Sequence, residues 1–428
     1  MTSKTLFVFV YLEGGMDAVP AGELTLHEEG VRPIGSEFVY GTRYQARPSA
    51  IELDPVSLRF KTQKRAPGER LYPVNTLPLF GALRDAAPDA WGRRVIENKL
   101  KAPPGSLPES VYLIEAGANR VGALDVRSAL DAPPQAATTA DVKDLAYLLD
   151  AAARIEQGMP VPAQLESLFD AGSSFGGARP KASVSGRGHQ WLAKFPAHGD
   201  GFNVPRVEYA TLEMARAAGL QVPFTRIVKL AARREVLLIE RFDRVKHASG
   251  WSRRHFVSAL TLTARHESES IKGSYAELAQ AIRSHGALGS IAAQCAELFG
   301  RMVFNILVCN DDDHLRNHAF LWSADGWHLA PLYDVVPHPQ IASERFLHLS
   351  VGERGREATL TNAMTHHEQF GLSRAAAAKI VDRISRVVRG WNTAFEASGV
   401  SADDIARIES AFRKPRELGL EEAVRVRR

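Results

Sequence analysis

The sequence predicts an α+β protein whose β-rich first part precedes a mostly helical second part. Residues 1–60 contain short alternating apolar stretches separated by Gly and Pro, a pattern typical of strands and hairpins. Beyond about residue 250, amphipathic patterns predict helices over 275–285, 290–309, 373–395 and 401–413. A chain of 428 residues is too long for one ordinary hydrophobic core, so we expect two or three domains.

The elements between these two parts alternate in type. Strands are predicted for LFVFVYLEG, LTLHEEG, EFVYG and IELDP in the first 60 residues, then over 189–196, 224–230 and 235–243. Helices are predicted over 78–100, 141–157 and 205–220, and a hairpin over 111–126. The Pro- and Ala-rich stretch 131–141 predicts a linker. The expected domains are therefore 1–130, 141–243 and 244–428.

Composition indicates a soluble globular protein. Hydrophobic residues make up 45% of the chain and charged residues 24%, and the net charge of +4 suits a polyanion such as ATP or nucleic acid without naming either. The two cysteines, Cys295 and Cys309, lie in apolar helical patterns, so we expect buried thiols and a cytoplasmic location. Because no run of about 18 apolar residues is evident, we expect no membrane span.

The residues NDDDHLRNHAF at 310–320 concentrate the groups that could carry chemistry. Three adjacent carboxylates are costly to hold together unless they are solvated, protonated or bound to a cation. The run alone supports a solvated, helix-capping turn as well as it supports a catalytic loop. The spacing favours a catalytic loop, because Asp312 precedes Asn317 by five residues and Asp334 follows a predicted hairpin. Protein kinases place their base, metal-binding amide and metal-binding carboxylate in this order.

Residues upstream of the loop match the other parts of a protein kinase site, in the same order along the chain. A Gly/Ser-rich turn within 171–184 precedes a strand that carries Lys194, and the helix that follows carries Glu208. Backbone amides of a Gly-rich turn and a lysine on a strand can both neutralise phosphate charge. The sequence therefore predicts a two-lobed, kinase-like fold. Glu208 is a candidate partner for Lys194, and an exposed helix glutamate is an equal alternative.

The chain resembles the HipA family of serine/threonine-protein kinases, the toxins of bacterial toxin–antitoxin pairs. Four segments carry the resemblance: SSFGGARPKA (173–182), IERFDR (239–244), NDDDHLRNHAF (310–320) and LAPLYDVV (329–336). Further support comes from PDAWGRR (88–94), VGAL (121–124) and EYATLEMARAAGL (208–220).

The resemblance implies an ATP- and Mg²⁺-dependent kinase that arrests growth by phosphorylating a host protein. An aminoacyl-tRNA synthetase is one candidate for that protein substrate. The resemblance also implies a HipB-like helix-turn-helix antitoxin, through which the kinase would contact operator DNA, and it implies no membrane partner.

The resemblance assigns catalytic roles position by position. Asp312 would be the catalytic base, and His314 would support the catalytic loop. Asn317 and Asp334 would bind Mg²⁺. Asp311 and Asp313 are interpreted as neighbours that point elsewhere.

The resemblance also assigns a nucleotide site and a modification site. Lys194 would pair with the phosphates of ATP. The residues expected at the nucleotide are Phe175, Gly176, Gly177, Ala178, Arg179, Pro180, Lys181, Lys194, Glu240, Arg241, Phe242, His314, Asn317, Tyr333 and Asp334. Ser174 falls where the family carries an autophosphorylated serine, whose modification switches the kinase off.

Two alternative functions stay open. A metal-dependent phosphohydrolase is one of them, because DDDH is also a metal-like cluster; it leaves the Gly-rich turn, Lys194 and Asp334 unexplained. The other is a non-catalytic corepressor or binding module. Loss of Lys194, Asp312 or Asp334 would favour that function, and all three residues are present.

Overall fold

The structure is a computed structural model that describes residues 1–61, 65–135, 139–161, 177–231 and 234–425. The described residues divide into two compact units, each built from three separate segments of chain. Unit 1 contains Met1–His198, Glu240–Arg265 and Phe320–Ala324. Unit 2 contains Gly199–Ile239, His266–Ala319 and Asp325–Arg428.

Strands dominate the chain up to residue 258 and helices dominate it afterwards, as the sequence predicts. The strands are β1 (Thr2–Tyr11), β2 (Ala18–Glu29), β3 (Arg32–Tyr40), β4 (Leu124–Arg127), β5 (Ala140–Asp141), β6 (Lys181–Gly186), β7 (His189–Lys194), β8 (Thr225–Lys229), β9 (Glu235–Glu240), β10 (Arg244–His247), β11 (Gly250–Arg253), β12 (Phe256–Ser258), β13 (Ala319–Ser323) and β14 (Gly326–Leu329). The helices are α1 (Thr42–Gln45), α2 (Gly81–Ala86), α3 (Ala90–Lys99), α4 (Glu109–Glu115), α5 (Leu145–Glu156), α6 (Val204–Ala217), α7 (Ala259–Leu262), α8 (Tyr275–His285), α9 (Ile291–Val308), α10 (Leu360–Thr365), α11 (Arg374–Val388), α12 (Trp391–Ala397), α13 (Ala402–Ile408) and α14 (Leu420–Val424).

Unit 1 begins with a four-stranded sheet in the order β3-β2-β1-β4. β1 runs antiparallel to β2 and to β4. Leu6, Val8 and Val10 lie on one face of the sheet and are buried, and Phe9 on the opposite face is buried as well. The first three predicted strands are therefore confirmed.

Unit 1 also contains the hairpin that precedes Lys194. β6 pairs antiparallel with β7, from Lys181 opposite Lys194 to Gly186 opposite His189. The connecting residues Arg187 and Gly188 both have positive φ, 52° and 78°, as a tight two-residue hairpin turn requires. The register therefore fixes two lysines side by side at one end of the hairpin.

Two strand predictions are wrong. The predicted hairpin over 111–126 instead contains α4 and β4, and Gly117, with a φ of 67°, follows the end of the helix. The stretch IELDP is irregular because the buried Asp54 carboxylate accepts hydrogen bonds from the N–H groups of Val56 and Ser57, at 2.8 and 2.9 Å. These bonds within one short segment bend the chain away from an extended course.

The helices predicted in unit 2 are present, and one of them is divided into two. α8 has the bounds that its pattern predicts, and the Ser401 side chain caps α13 by accepting from the N–H of Asp404. The predicted helix over 373–395 is divided at Gly390 into α11 and α12. Cys295 and Cys309 are buried free thiols, as expected.

α9 forms the core of unit 2. Phe299, Met302, Val303 and Phe304 are completely buried on it. The stretch Leu288–Val308 is long and apolar enough to cross a membrane by length and composition, and 72% of its 18-residue apolar window is buried inside the protein. Such burial is typical of the core helix of a folded domain.

A buried network of ion pairs centres on Asp243 in unit 1. Its carboxylate accepts hydrogen bonds from Arg241 at 2.8 and 3.0 Å, from Arg244 at 2.6 Å and from the N–H of Gly122 at 2.8 Å. Arg241 also donates to the carbonyl oxygen of Asn119 at 3.1 Å. Burial alone would raise the pKa of Asp243, but the two guanidinium charges outweigh it and hold the pKa below its ordinary value. The network ties residues 119–122 to the end of β9.

We expect Asp243→Asn to lower the free energy of unfolding by about 3 kcal/mol at pH 7, because two buried guanidinium groups lose their counter-charge. The folded-state pKa is depressed, so this stabilisation is present above about pH 4 and is lost as the pH falls further. Urea denaturation at several pH values measures the difference. Asp131→Asn, at an exposed aspartate of the same unit, is the control. Equal stability of the two variants at pH 7 would contradict the role of Asp243.

Candidate active site

The loop that contains the three consecutive acids joins α9 to β13. α9 ends at Val308, and the next residue, Cys309, has a left-handed φ of 54° that turns the chain out of the helix. The carbonyl oxygen of Cys309 accepts from the N–H of His338 at 3.0 Å. A short 3₁₀ turn, Leu315–Asn317, closes the loop before the strand. The loop is therefore held at both ends by regular structure.

The three acids take three different environments. The Asp312 side chain is 61% exposed, whereas Asp313 is 1% exposed. Asp311 is hydrogen-bonded to His338 and accepts from the amide of Gln340. Within the described ranges, no group of three or more His, Cys, Asp and Glu side chains is placed to share a metal ion. The run of acids is therefore not a cluster of converging metal ligands.

Asp312, Asn317 and Asp334 are brought into one region of unit 2. The side-chain amide of Asn317 donates to the backbone oxygen of Asp312 at 2.6 Å. The hydroxyl of Tyr333 donates to the backbone oxygen of Arg316, also at 2.6 Å. These bonds hold the segment that carries Asp334 beside the loop. Asp334 has a φ of 58°, a left-handed conformation that aspartate tolerates better than most residues.

The electrostatic surroundings of Asp312 suit a proton acceptor. Partial loss of solvent raises the pKa of its carboxyl, the His314 ring lowers it, and the Asp334 carboxylate raises it again. The His314 Nε2 atom lies 3.9 Å from Asp312 Oδ1. A raised pKa makes a carboxylate a better base, and exposure lets a substrate hydroxyl approach it.

A buried polar layer lies beneath the loop. The Asp313 carboxyl accepts hydrogen bonds from the Tyr275 hydroxyl and from the N–H of His348, the latter at 2.8 Å. Burial raises the pKa of Asp313 to about 8, although both bonds act to lower it. The Tyr275 oxygen accepts from Asn305 at 2.9 Å. The sequence does not predict these partners; its one signal for them is Asn305, a polar residue within the apolar run of α9.

Unit 1 carries the residues expected at the phosphates. Lys194 is the last residue of β7 and is buried. The Lys181 Nζ atom donates to Asp89 at 3.0 Å, and its backbone oxygen accepts from the Trp91 indole at 2.9 Å. The segment PDAWGRR, which the resemblance singles out, therefore anchors the start of β6.

The other expected nucleotide residues of unit 1 differ in exposure. Gly177 and Ala178 are exposed, Arg179 is intermediate and Pro180 is buried. Gly177 has a φ of 111°, a backbone angle that residues other than glycine rarely adopt. Ser174, Phe175 and Gly176 lie outside the described residues.

Glu240, Arg241 and Phe242 also lie in unit 1. Glu240 is hydrogen-bonded to His189 at 2.7 Å, Arg241 is buried against Asp243, and Phe242 is half-buried. In unit 2, Glu208 is 1% exposed, so the alternative of an exposed helix glutamate is wrong.

Comparison with known proteins identifies a matching family and curated relatives. The HipA-like C-terminal domain family matches residues 173–391, just over half of the chain. A curated protein of Haemophilus influenzae described as "Putative kinase" is 28% identical over 176 residues, which cover 38% of this chain and 50% of that protein. "Putative kinase Y4dM" of Sinorhizobium fredii is 24% identical over 227 residues, 50% of this chain and 53% of that protein. The chain spans about half the length of these curated relatives.

The fold is similar to that of a solved HipA structure. HipA of Shewanella oneidensis, solved in complex with HipB and its operator DNA, superposes with a TM-score of 0.62 over 98% of this chain and 100% of that chain. The sequence identity of 16% makes this a likeness of fold alone. The predicted α+β, kinase-like fold is confirmed.

Between pH 5 and pH 8, we expect the free energy of unfolding of the wild type to fall by roughly 3 kcal/mol more than that of Asp313→Asn. The Asp313 pKa is raised in the folded state, so the folded protein retains a proton there that the unfolded chain loses above about pH 4. Stability therefore falls as the pH rises towards the folded pKa. Urea denaturation of both proteins at pH 5 and pH 8 measures the effect, and parallel pH profiles would contradict it.

Proposed function

This chain belongs to the HipA family, and on that premise we propose that it is an ATP- and Mg²⁺-dependent serine/threonine-protein kinase. The observation that carries the proposal is the convergence of Asp312, Asn317 and Asp334 in one region of unit 2, in the order that kinases use. A phosphohydrolase built on three converging acids is disfavoured, because Asp311 and Asp313 bond to other groups.

Asp312 is the proposed base. Its exposed carboxylate takes up the proton of a substrate hydroxyl as that oxygen forms a bond to the γ-phosphorus of ATP. The bond between that phosphorus and the bridging oxygen breaks, and ADP leaves with the electron pair. Positioning and charge stabilisation supply most of the rate in such transfers.

Asn317 and Asp334 are the proposed ligands of Mg²⁺. Their oxygens are the hard donors that Mg²⁺ prefers, and the ion commonly takes only one or two protein ligands beside substrate phosphates. The Asn317 amide nitrogen is engaged by the Asp312 backbone, which leaves its Oδ1 atom as the donor. When bound, the ion neutralises charge on the phosphates.

We assign the remaining nucleotide contacts residue by residue, as the resemblance implies. We assign phosphate contacts to Lys194 and to residues 175–181, and adenine contacts to the segment Glu240–Phe242. His314 and Tyr333 complete the set. The Lys181 and Arg241 side chains bond to Asp89 and Asp243, so we assign their contribution to backbone groups.

The biological role that we propose is the one that the resemblance to the family implies. We propose a cytoplasmic toxin that arrests growth by phosphorylating a host protein, with an aminoacyl-tRNA synthetase as one candidate substrate. A HipB-like helix-turn-helix antitoxin would neutralise it and bring it to operator DNA. The solved HipA in complex with HipB and operator DNA supports this partnership. A gel shift of operator DNA, with and without the antitoxin, tests it.

We expect Asp312→Asn to reduce phosphate transfer from radiolabelled ATP by at least about 100-fold, because the base is lost while the loop is kept. Autophosphorylation and transfer to proteins of a cell lysate are the measurements. Asp403→Asn, at an exposed aspartate in the first turn of α13, is the matched control and keeps wild-type activity. Retained autophosphorylation in Asp312→Asn would refute its role. Phosphate release by the wild type without any phosphoprotein would instead indicate a phosphohydrolase.

We expect Ser174→Ala to stay active longer than the wild type after exposure to ATP. A phosphate on Ser174 adds nearly two negative charges next in sequence to residues that the resemblance assigns to ATP, so phosphorylation is expected to oppose nucleotide binding. The measurement is the decay of kinase activity with time, together with mass-spectrometric detection of the phosphopeptide. Equal decay in both proteins would count against autoinhibition at this serine.

A further inference from the structure

Asp313 is a buried acid directly beside the proposed base. It is 1% exposed, whereas the Asp312 side chain next to it is 61% exposed. Burying a carboxyl group is unfavourable unless its oxygens find hydrogen-bond partners. An apolar side chain would fill the same space without that requirement. The presence of a carboxyl therefore calls for a role that a side chain with two hydrogen-bonding groups can perform.

The two oxygens of Asp313 bond in two different directions. One accepts from the N–H of His348 at 2.8 Å, and the other accepts from the hydroxyl of Tyr275, a completely buried residue at the start of α8. The Tyr275 oxygen accepts in turn from the Asn305 amide on α9 at 2.9 Å. The carboxyl thus joins the loop to α8, to α9 and to the segment that contains His348.

The same hydrogen-bond network also includes Asn310, the first residue of the loop. The Asn305 side-chain oxygen accepts from the Asn310 amide at 3.1 Å, and the Asn305 backbone oxygen accepts from the Asn310 N–H at 3.0 Å. Asn310 and Asp313 are both buried and are the residues on either side of Asp311 and Asp312. The network therefore fixes the backbone on both sides of the proposed base.

A second set of bonds supports the following residues. The N–H of Leu315 donates to the Ser270 hydroxyl at 3.1 Å, and the His348 ring is hydrogen-bonded to that same hydroxyl at 3.1 Å. His348 thus bonds to Asp313 through its backbone and to Ser270 through its ring. Ser270 and His348, which bond to each other, therefore hold residues 313–315 in place.

We propose that Asp313 is a positioning residue, which holds Asp312 in place through the hydrogen bonds from Tyr275 and His348. This inference rests on the proposed kinase function. Asp313 does not touch substrate or nucleotide in this scheme; it acts through the loop backbone. Its carboxyl is neutral near pH 7 because burial raises its pKa to about 8, so it adds little negative charge next to Asp312 and Asp334.

Two substitutions separate positioning from stability. Asp313→Asn keeps a side chain of the same shape that can accept from His348 and donate to the Tyr275 oxygen. Asp313→Ala removes both bonds. We expect Asp313→Ala to lower kcat about 100-fold with the KM for ATP changed less than about twofold, because a small displacement of a catalytic group reduces the rate but not nucleotide binding. Asp313→Asn is expected to restore kcat to within about fivefold of the wild type.

The controls exclude a general loss of folded protein. Rates are expressed per folded molecule, and Asp403→Asn serves as the matched surface substitution in the same unit. Tyr275→Phe removes the hydroxyl while keeping the ring, and it is expected to lower kcat without raising the KM for ATP. Wild-type kcat in folded Asp313→Ala, or a loss in Asp313→Asn as large as in Asp313→Ala, would overturn the inference.

Hydrogen exchange of the full chain tests the same idea without using activity. We expect the amides of residues 311–317 to exchange at least about tenfold faster in Asp313→Ala than in the wild type, with α8 and α9 unchanged. Unchanged exchange in the loop would overturn the inference. A wild-type protein that forms no phosphoprotein would refute the kinase function, and the exchange result would still decide the structural role of Asp313.

Discussion

The hydrogen bond between the Tyr275 hydroxyl and the Asp313 carboxyl is the interaction on which the candidate catalytic loop depends. Most of the loop has no regular backbone pairing, so side chains must supply the hydrogen bonds that a helix or strand would supply. Asp313 does this from within the core, and Asn310 does it at the end of α9. With those two residues fixed, Asp312 has little freedom except to present its carboxylate to solvent.

In unit 1, buried ion pairs hold the backbone in place, as buried hydrogen bonds do in the loop. The segment IERFDR places Arg241, Asp243 and Arg244 together, and their charges neutralise one another in a buried position. Arg241, expected from the resemblance to contact nucleotide, directs its guanidinium to Asp243 and to the carbonyl of Asn119. Lys181 is likewise engaged by Asp89. A motif shared by a family can thus maintain the backbone around a site as well as bind the ligand.

Charge also explains why three adjacent acids can coexist in one loop. Asp311 bonds to His338 and Gln340, Asp312 is solvated, and Asp313 is protonated near neutral pH. Each acid therefore avoids the repulsion that three parallel carboxylates would suffer. Asp312 is the most exposed of the three, and exposure is what a base for a protein hydroxyl requires.

The elements that can be predicted from the sequence are those whose signals are local. The periodicity of α8, the Ser401 cap of α13 and the five-residue step from Asp312 to Asn317 are contained in short windows, and short windows encode helix faces and caps. Residues 111–126 were misassigned because apolar runs on either side of a glycine fit a hairpin as well as a helix followed by a strand.

Which acid is exposed and which is buried depends instead on contacts between distant segments of the chain. Asp313 meets Tyr275 from 38 residues away and His348 from 35 residues away, and no local pattern records such partners. Burial and hydrogen bonding set the protonation of a carboxyl, and both depend on contacts between distant segments. The residue types of the loop could therefore be predicted from the sequence, whereas the division of roles among them could not.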